Sequence, residues 1–275
     1  MSTTSTTIPV SSGRSLPALA RRHPISVFLA LAFAVAWPAL IIPDITGWVD
    51  APFLLVTNFV GLLGAALLVT RWTGGPGAIR ALLSRTWRWR FGVGRYATIL
   101  LAMPIATIAV SVVTGTLQVP DNGWATAVLG YFVMTVLVGA LVLNIWEETA
   151  WTGFVQSRLM QRHGLLVGSL LTAPLFVAVH LPLLFAPGFG WPSLFLSLGL
   201  LLLAAPFMRY LLGMHYLATG SLLAVGLQHA SFNASGAFGV GGWQPIAGLV
   251  IVTVLLALHR SLGHPQVAES AHTAR

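Results

Sequence analysis

Eight long apolar runs, near 24–43, 52–70, 97–117, 125–146, 165–186, 191–208, 214–235 and 244–259, make up most of this chain, and few charges interrupt them. Crossing a bilayer takes about 20 apolar residues, and the runs lie near that length, the last being the shortest. Backbone groups in hydrocarbon must be satisfied within their own segment, so the runs are expected to be helices. Barrel strands would be shorter and would alternate in polarity. Composition bears on the same point: 56% of residues are hydrophobic and 7% are charged, against about 25% charged in soluble domains. The expected fold is all-α, a polytopic transmembrane bundle of about eight spanning helices.

The charges predict how such a bundle is oriented. The formal net charge is +8, and all 14 basic residues are Arg. If both termini are cytoplasmic, the inner segments are the N-terminal tail, 71–96, 147–164, 209–213 and the C-terminus. These hold every Arg, while the outer loops hold Asp44, Asp50 and Asp121 and no Arg. That distribution obeys the positive-inside rule, so the basic balance is read as topology and contact with anionic lipid rather than nucleic-acid binding. The cysteine count of zero excludes disulfides and thiolate catalysis. The absence of Lys beside abundant Ala, Arg and Gly reads as a GC-rich bacterial genome. The expected localisation is the cell membrane, multi-pass.

The domain reading is a disordered basic tail over 1–23, a transmembrane domain over 24–260 and a cytoplasmic tail over 261–275. A cleaved signal peptide is disfavoured, because the first run is long for such a segment and ends without a small-residue cleavage pattern. Gly74 to Gly77 reads as a hinge, and 78–95, which mixes Arg with Trp, Leu and Phe, as an amphipathic interfacial helix. Pro104, Pro174, Pro182 and Pro206 should each kink a helix or free a carbonyl for a neighbour to satisfy. Trp146, Trp151, Trp191 and Trp243 read as interfacial belts and His215 as interfacial, with His163, His259 and His264 in loops or tails. Gly153 reads as a site of close helix approach.

Ionisable groups inside spans cost about 2.5–3.5 kcal/mol each on insertion scales and need a reason. Glu147 and Glu148 end the fourth run, His180 lies in the fifth, and His229 with Asn233 lies in the seventh. These groups are best accommodated if they converge. His229 and Asn233 are four apart and share a helix face. Glu147 and Glu148 lie about 100° apart around a helix, so one can face a reaction while the other holds a neighbouring helix. Convergence also requires the fourth helix to run past the Glu pair to about 156, with the inner turn at 158–164.

The segments Glu147-Glu148-Thr-Ala-Trp-Thr152-Gly153, Phe176-Val-Ala-Val-His180 and His229-Ala-Ser-Phe-Asn233 resemble the three motifs of the CAAX protease and bacteriocin-processing (CPBP, or Abi) membrane proteases. Order and placement on three helices agree over about 147–233. The resemblance implies an intramembrane endopeptidase. Glu147 would be the general base that activates water, His180 would hold and polarise that water, and His229 and Asn233 would donate to the oxyanion. Glu148, Thr152 and Phe176 would be structural support. The expected partners are membrane lipids and a peptide or protein substrate at the membrane. No cofactor is expected; the competing reading is zinc held by Glu147, His180 and His229.

One position departs from the family pattern. The family has Arg four residues after the second Glu, where this chain has Thr152. Glu148 then needs another partner, and Arg158 or Arg209 could supply it through space. If neither does, the alternative is a catalytically inactive membrane scaffold or immunity-type binding protein. A transporter is the third reading, but the sequence shows no pair of related halves.

Overall fold

The computed structural model describes residues 15–185, 191–238 and 242–263. Among them the chain is helical and contains no strand. We number the helices α1 (Leu16–Arg22), α2 (Pro24–Thr46), α3 (50–74), α4 (76–83), α5 (Val93–Val113), α6 (123–163), α7 (165–180), α8 (Trp191–Thr219), α9 (Leu222–Ala234) and α10 (Gln244–Gly263). A 3₁₀ turn, Leu181–Phe185, extends α7. The chain is a multi-pass membrane protein, and among the described residues 6 continuous helical stretches are long and apolar enough to cross a bilayer.

Two glycines divide stretches that would otherwise run on. The helix Asp50–Leu83 breaks at Gly75, whose φ of 76° favours a residue without a Cβ, and this is the hinge expected at the GGPG sequence. The 62-residue stretch Gly123–Leu184 folds back at Gly164, also at φ 76°. α6 therefore continues through the Glu pair as expected, and past 156 to the turn. Glu148 stands 15 residues before His163, a rise of roughly 22 Å along α6. This lifts the carboxylates to the depth of His180.

Several expectations are corrected. The proposed inner segment 209–213 does not exist as a loop, because α8 runs unbroken to Thr219 and the chain turns at residues 220–221. The seventh apolar run is thus shared between α8 and the 13-residue α9, about 20 Å long and too short to cross the hydrocarbon alone. Residues 78–95 are helical only to Leu83 and again from Val93. Between these, the chain crosses the α8–α9 turn: Ser221 Oγ donates to the Arg88 carbonyl, and the Leu222 amide donates to that of Arg85. Residues 16–22, assigned above to a disordered tail, form α1, which buries Ala20 while Arg21 donates to the Trp72 carbonyl. Residues 1–14 of that tail and residues 264–275, including His264, lie outside the described residues. Trp151 is fully buried between Phe28 and Phe176 and does not belong to a belt. His215 is also buried.

The prolines behave as the chemistry of a missing N–H requires. Pro104 deprives the Leu100 carbonyl of its helical donor, and the Tyr131 hydroxyl of α6 donates to it. Tyr131 also exchanges a 2.7 Å hydrogen bond with Ser231 of α9. Pro182 lies four residues after Ala178, whose carbonyl accepts the Leu181 amide in a tighter turn and also the indole N–H of Trp37 from α2. Glycines then set the closeness of α6 and α9. A Cβ on Gly226 would stand 2.8 Å from the Ile145 Cα, and one on Gly139 would stand 2.9 Å from the Ala230 Cβ. Gly153 is likewise filled against Leu82 and Leu222.

Gly226→Val should therefore force α6 and α9 apart. We expect a loss of about 1–3 kcal/mol, read as a lower unfolding temperature in detergent. Gly199→Ala, which enters open space, should leave that temperature nearly unchanged.

Candidate active site

Helix α6 changes its winding around the Glu pair. Wide π-helical stretches, Val133–Asn144 and Trp151–Gln156, flank the α-helical turn Ile145–Ala150. Such interruptions redirect side chains and recur at functional sites. The two carboxylates leave this turn toward different surroundings.

Glu148 is completely buried and saturated with donors. Arg209 grips it in a two-pronged fork, Nη2 to Oε1 at 2.6 Å and Nη1 to Oε2 at 3.1 Å. The Thr152 hydroxyl donates to Oε2, and His229 Nδ1 lies 2.8 Å from Oε1. Each oxygen thus has two partners, which leaves Glu148 no capacity to accept a further proton-bearing group. Arg209 is itself fully buried, with its guanidinium carbon 4.3 Å above the centre of the Phe176 ring. Its backbone carbonyl receives Gln156 Nε2 at 2.6 Å. The cation that the first motif lacks at Thr152 thus comes from α8. Arg158, the other candidate, instead donates to the Phe154 carbonyl and stacks over its ring.

Glu147 has the opposite environment. Its Oε2 receives a long, 3.4 Å contact from Asn144 Nδ2 and lies 4.0 Å from His229 Nδ1. It borders a cavity of about 170 Å³ between α2, α3, α6, α7 and α9, together with His180, Asn233, Asn144, Asn58 and Thr57. His180 Nδ1 is 2.8 Å from the Phe176 carbonyl. A carbonyl can only accept, so Nδ1 carries the hydrogen and Nε2 keeps its lone pair. The Phe176 ring packs 4.5 Å from His180 and 6.0 Å from His229, centre to centre, and spaces the two imidazoles. Asn233 is exposed on the last turn of α9.

The structure therefore brings Glu147, His180 and Asn233 to one cavity, with His229 beside Glu147 and tied to Glu148. Thr152 and Phe176 touch the same cluster. Among the described residues, no group of three or more His, Asp or Glu is arranged to hold a metal ion. Reading only ionisable groups missed Asn58, Asn144 and Thr57. The carbonyl oxygens of both amides and the Thr57 hydroxyl are buried without a protein partner, so this wall is suited to holding water. Polar residues in otherwise apolar runs were the available signal, and Asn144, one helical turn before Glu147, was the clearest.

Residues 130–235, which span most of α6 and all of α7 to α9, match the family model described as type II CAAX prenyl endopeptidase Rce1-like. The motif-bearing part of the bundle is thus similar to a family of membrane proteases. No curated protein sequence matches the chain. The matched segment contains all three motifs and Arg209.

In this Rce1-like chain, Arg209→Met would strand Glu148 as an uncompensated buried charge. We expect a loss of about 3–5 kcal/mol of stability, measured by thermal or denaturant unfolding in detergent. Thr152→Val removes one hydrogen bond of four and should cost about 1–3 kcal/mol.

Proposed function

We propose that this chain is an intramembrane endopeptidase in which Glu147 activates water for attack on a peptide carbonyl. The observation that carries this reading is the division of labour between adjacent carboxylates: Glu148 is saturated by Arg209, Thr152 and His229, while Glu147 borders the polar cavity with His180 and Asn233. The inactive-scaffold alternative drew its support from the missing motif Arg, and Arg209 removes that support.

In the proposed reaction, a water in the cavity donates one hydrogen to Glu147 and another to the lone pair on His180 Nε2. Its oxygen adds to the substrate carbonyl carbon as Glu147 takes the proton. The carbonyl oxygen becomes an oxyanion, stabilised by hydrogen bonds from Asn233 Nδ2 and the His229 imidazole. The tetrahedral species collapses, the C–N bond breaks, and Glu147 returns its proton to the leaving amine. Glu148 and Arg209 do not react; they hold His229. The family description names prenylated CAAX substrates, and we extend to this chain a peptide whose scissile bond reaches the cavity from the membrane. We also propose that the Arg-rich helix ends and both termini are cytoplasmic, in the cell membrane, from the Arg distribution.

Purified protein should hydrolyse a quenched fluorescent peptide carrying a lipid-modified C-terminal segment. Glu147→Gln should lower the rate by about 10²–10⁴-fold while leaving the unfolding temperature close to wild type. A Glu147→Gln protein that cleaves at the wild-type rate would contradict the assignment.

A further inference from the structure

A second, larger cavity lies apart from the one bordered by Glu147. It has a volume of about 620 Å³ and opens among the first turns of α5 and the last turns of α8 and α10. Among the described residues its ionisable lining is entirely basic: Arg95 from α5, His215 from α8, and His259 and Arg260 from α10, with no Asp or Glu; Thr98 adds a hydroxyl. Phe91 and Leu256 contribute apolar wall.

His215 is the decisive residue. It is only 4% exposed, yet neither ring nitrogen makes a hydrogen bond of normal geometry, although Gln228 lies beside it. An imidazole carries at least one N–H in every protonation state, so His215 brings to the cavity lining a buried donor that no hydrogen bond of normal geometry satisfies. Leaving it so costs free energy that a ligand oxygen would recover. The N-terminus of the 21-residue α5 adds to this, since Gly94 lines the cavity within the first turn, where backbone N–H groups have no intrahelical partner. Negative charge is lacking on the protein side: among the described residues, Asp44, Asp50 and Asp121 lie at or near other helix ends, and Glu147 and Glu148 belong to the first site.

We propose that this cavity binds the phosphate-bearing headgroup of an anionic phospholipid. Arg95 and Arg260 hold the phosphate oxygens, and His215 donates to the oxygen that reaches deepest. Phe91 and Leu256 meet the start of the acyl chains. A phosphodiester supplies the negative charge that this basic lining lacks, and the apolar wall distinguishes a lipid from free phosphate. Arginine forks suit phosphate geometry.

Native mass spectrometry of the full-length protein in detergent tests this, with phosphatidylglycerol titrated against phosphatidylcholine of the same chains. Phosphatidylglycerol should be retained preferentially, and Arg95→Gln or Arg260→Gln should each weaken it about tenfold. Arg260 is exposed at a helix end, so R260Q should leave the unfolding temperature unchanged, which separates lost binding from lost fold. Leu256→Trp, which fills the cavity without altering charge, should weaken retention as well. Equal retention of the two lipids, or wild-type retention by the Arg95→Gln, Arg260→Gln double variant, would overturn the proposal. Displacement of phosphatidylglycerol by inorganic phosphate at a lower concentration than the lipid would overturn the lipid assignment in favour of free phosphate.

Discussion

The ion pair between Glu148 and Arg209 is the contact on which the site depends. Both side chains are fully buried, and the pair joins α6 to α8. Neither charge could stay in that position alone, because an unpaired ion in a low-dielectric interior costs several kcal/mol. The pair also serves its neighbours. Glu148 spends one oxygen lone pair on His229, which draws α9 into the cluster, and Arg209 lies over Phe176, which brings in α7. Four helices thus meet around one neutralised pair of charges, and the imidazole orientations follow from it.

The helix packing that permits this meeting rests on small residues and on carbonyls that prolines leave free. Gly226 and Gly139 let α6 and α9 approach closely enough for His229 to reach Glu148. The Leu100 carbonyl, deprived of its partner by Pro104, holds Tyr131, and Tyr131 holds Ser231 on the same short α9. α9 is too short to be stabilised by lipid contact along a full span, so its place comes from these specific contacts with α5 and α6. The same arrangement leaves Asn233, at its far end, beside the cavity.

Much of this was legible in the sequence for simple physical reasons. Apolar runs of spanning length can only be helices, and a hydrophobic chain places its few ionisable groups together or not at all. The continuation of α6 past the Glu pair followed from matching depths. Other features were not legible. Arg209 sits in an apolar helix, but the positive-inside rule assigned it to a loop, since charge counting cannot distinguish a buried paired Arg from a topological one. The break at residues 220–221 was signalled only by Gly220 and by Ser221, which caps α9, and the hydropathy of the surrounding run masked it. Trp151 read as interfacial because it is a Trp near a charged pair, whereas its neighbours Phe28 and Phe176 are distant in sequence. Asn58 contacts the Leu143 carbonyl 85 positions away, a pairing that no local pattern encodes.

Arg209 supplies, from a neighbouring helix, the charge that the CAAX-protease motif carries one helical turn after the second Glu. Residue 152 already touches Glu148 Oε2, so an arginine placed there can take over once Arg209 is removed. The direct measurement is the unfolding free energy and peptide-cleavage rate of Arg209→Met beside those of the double variant Thr152→Arg, Arg209→Met. The second substitution is expected to restore most of the stability and activity lost by the first. A double variant no more stable or active than Arg209→Met alone would contradict this role of Arg209.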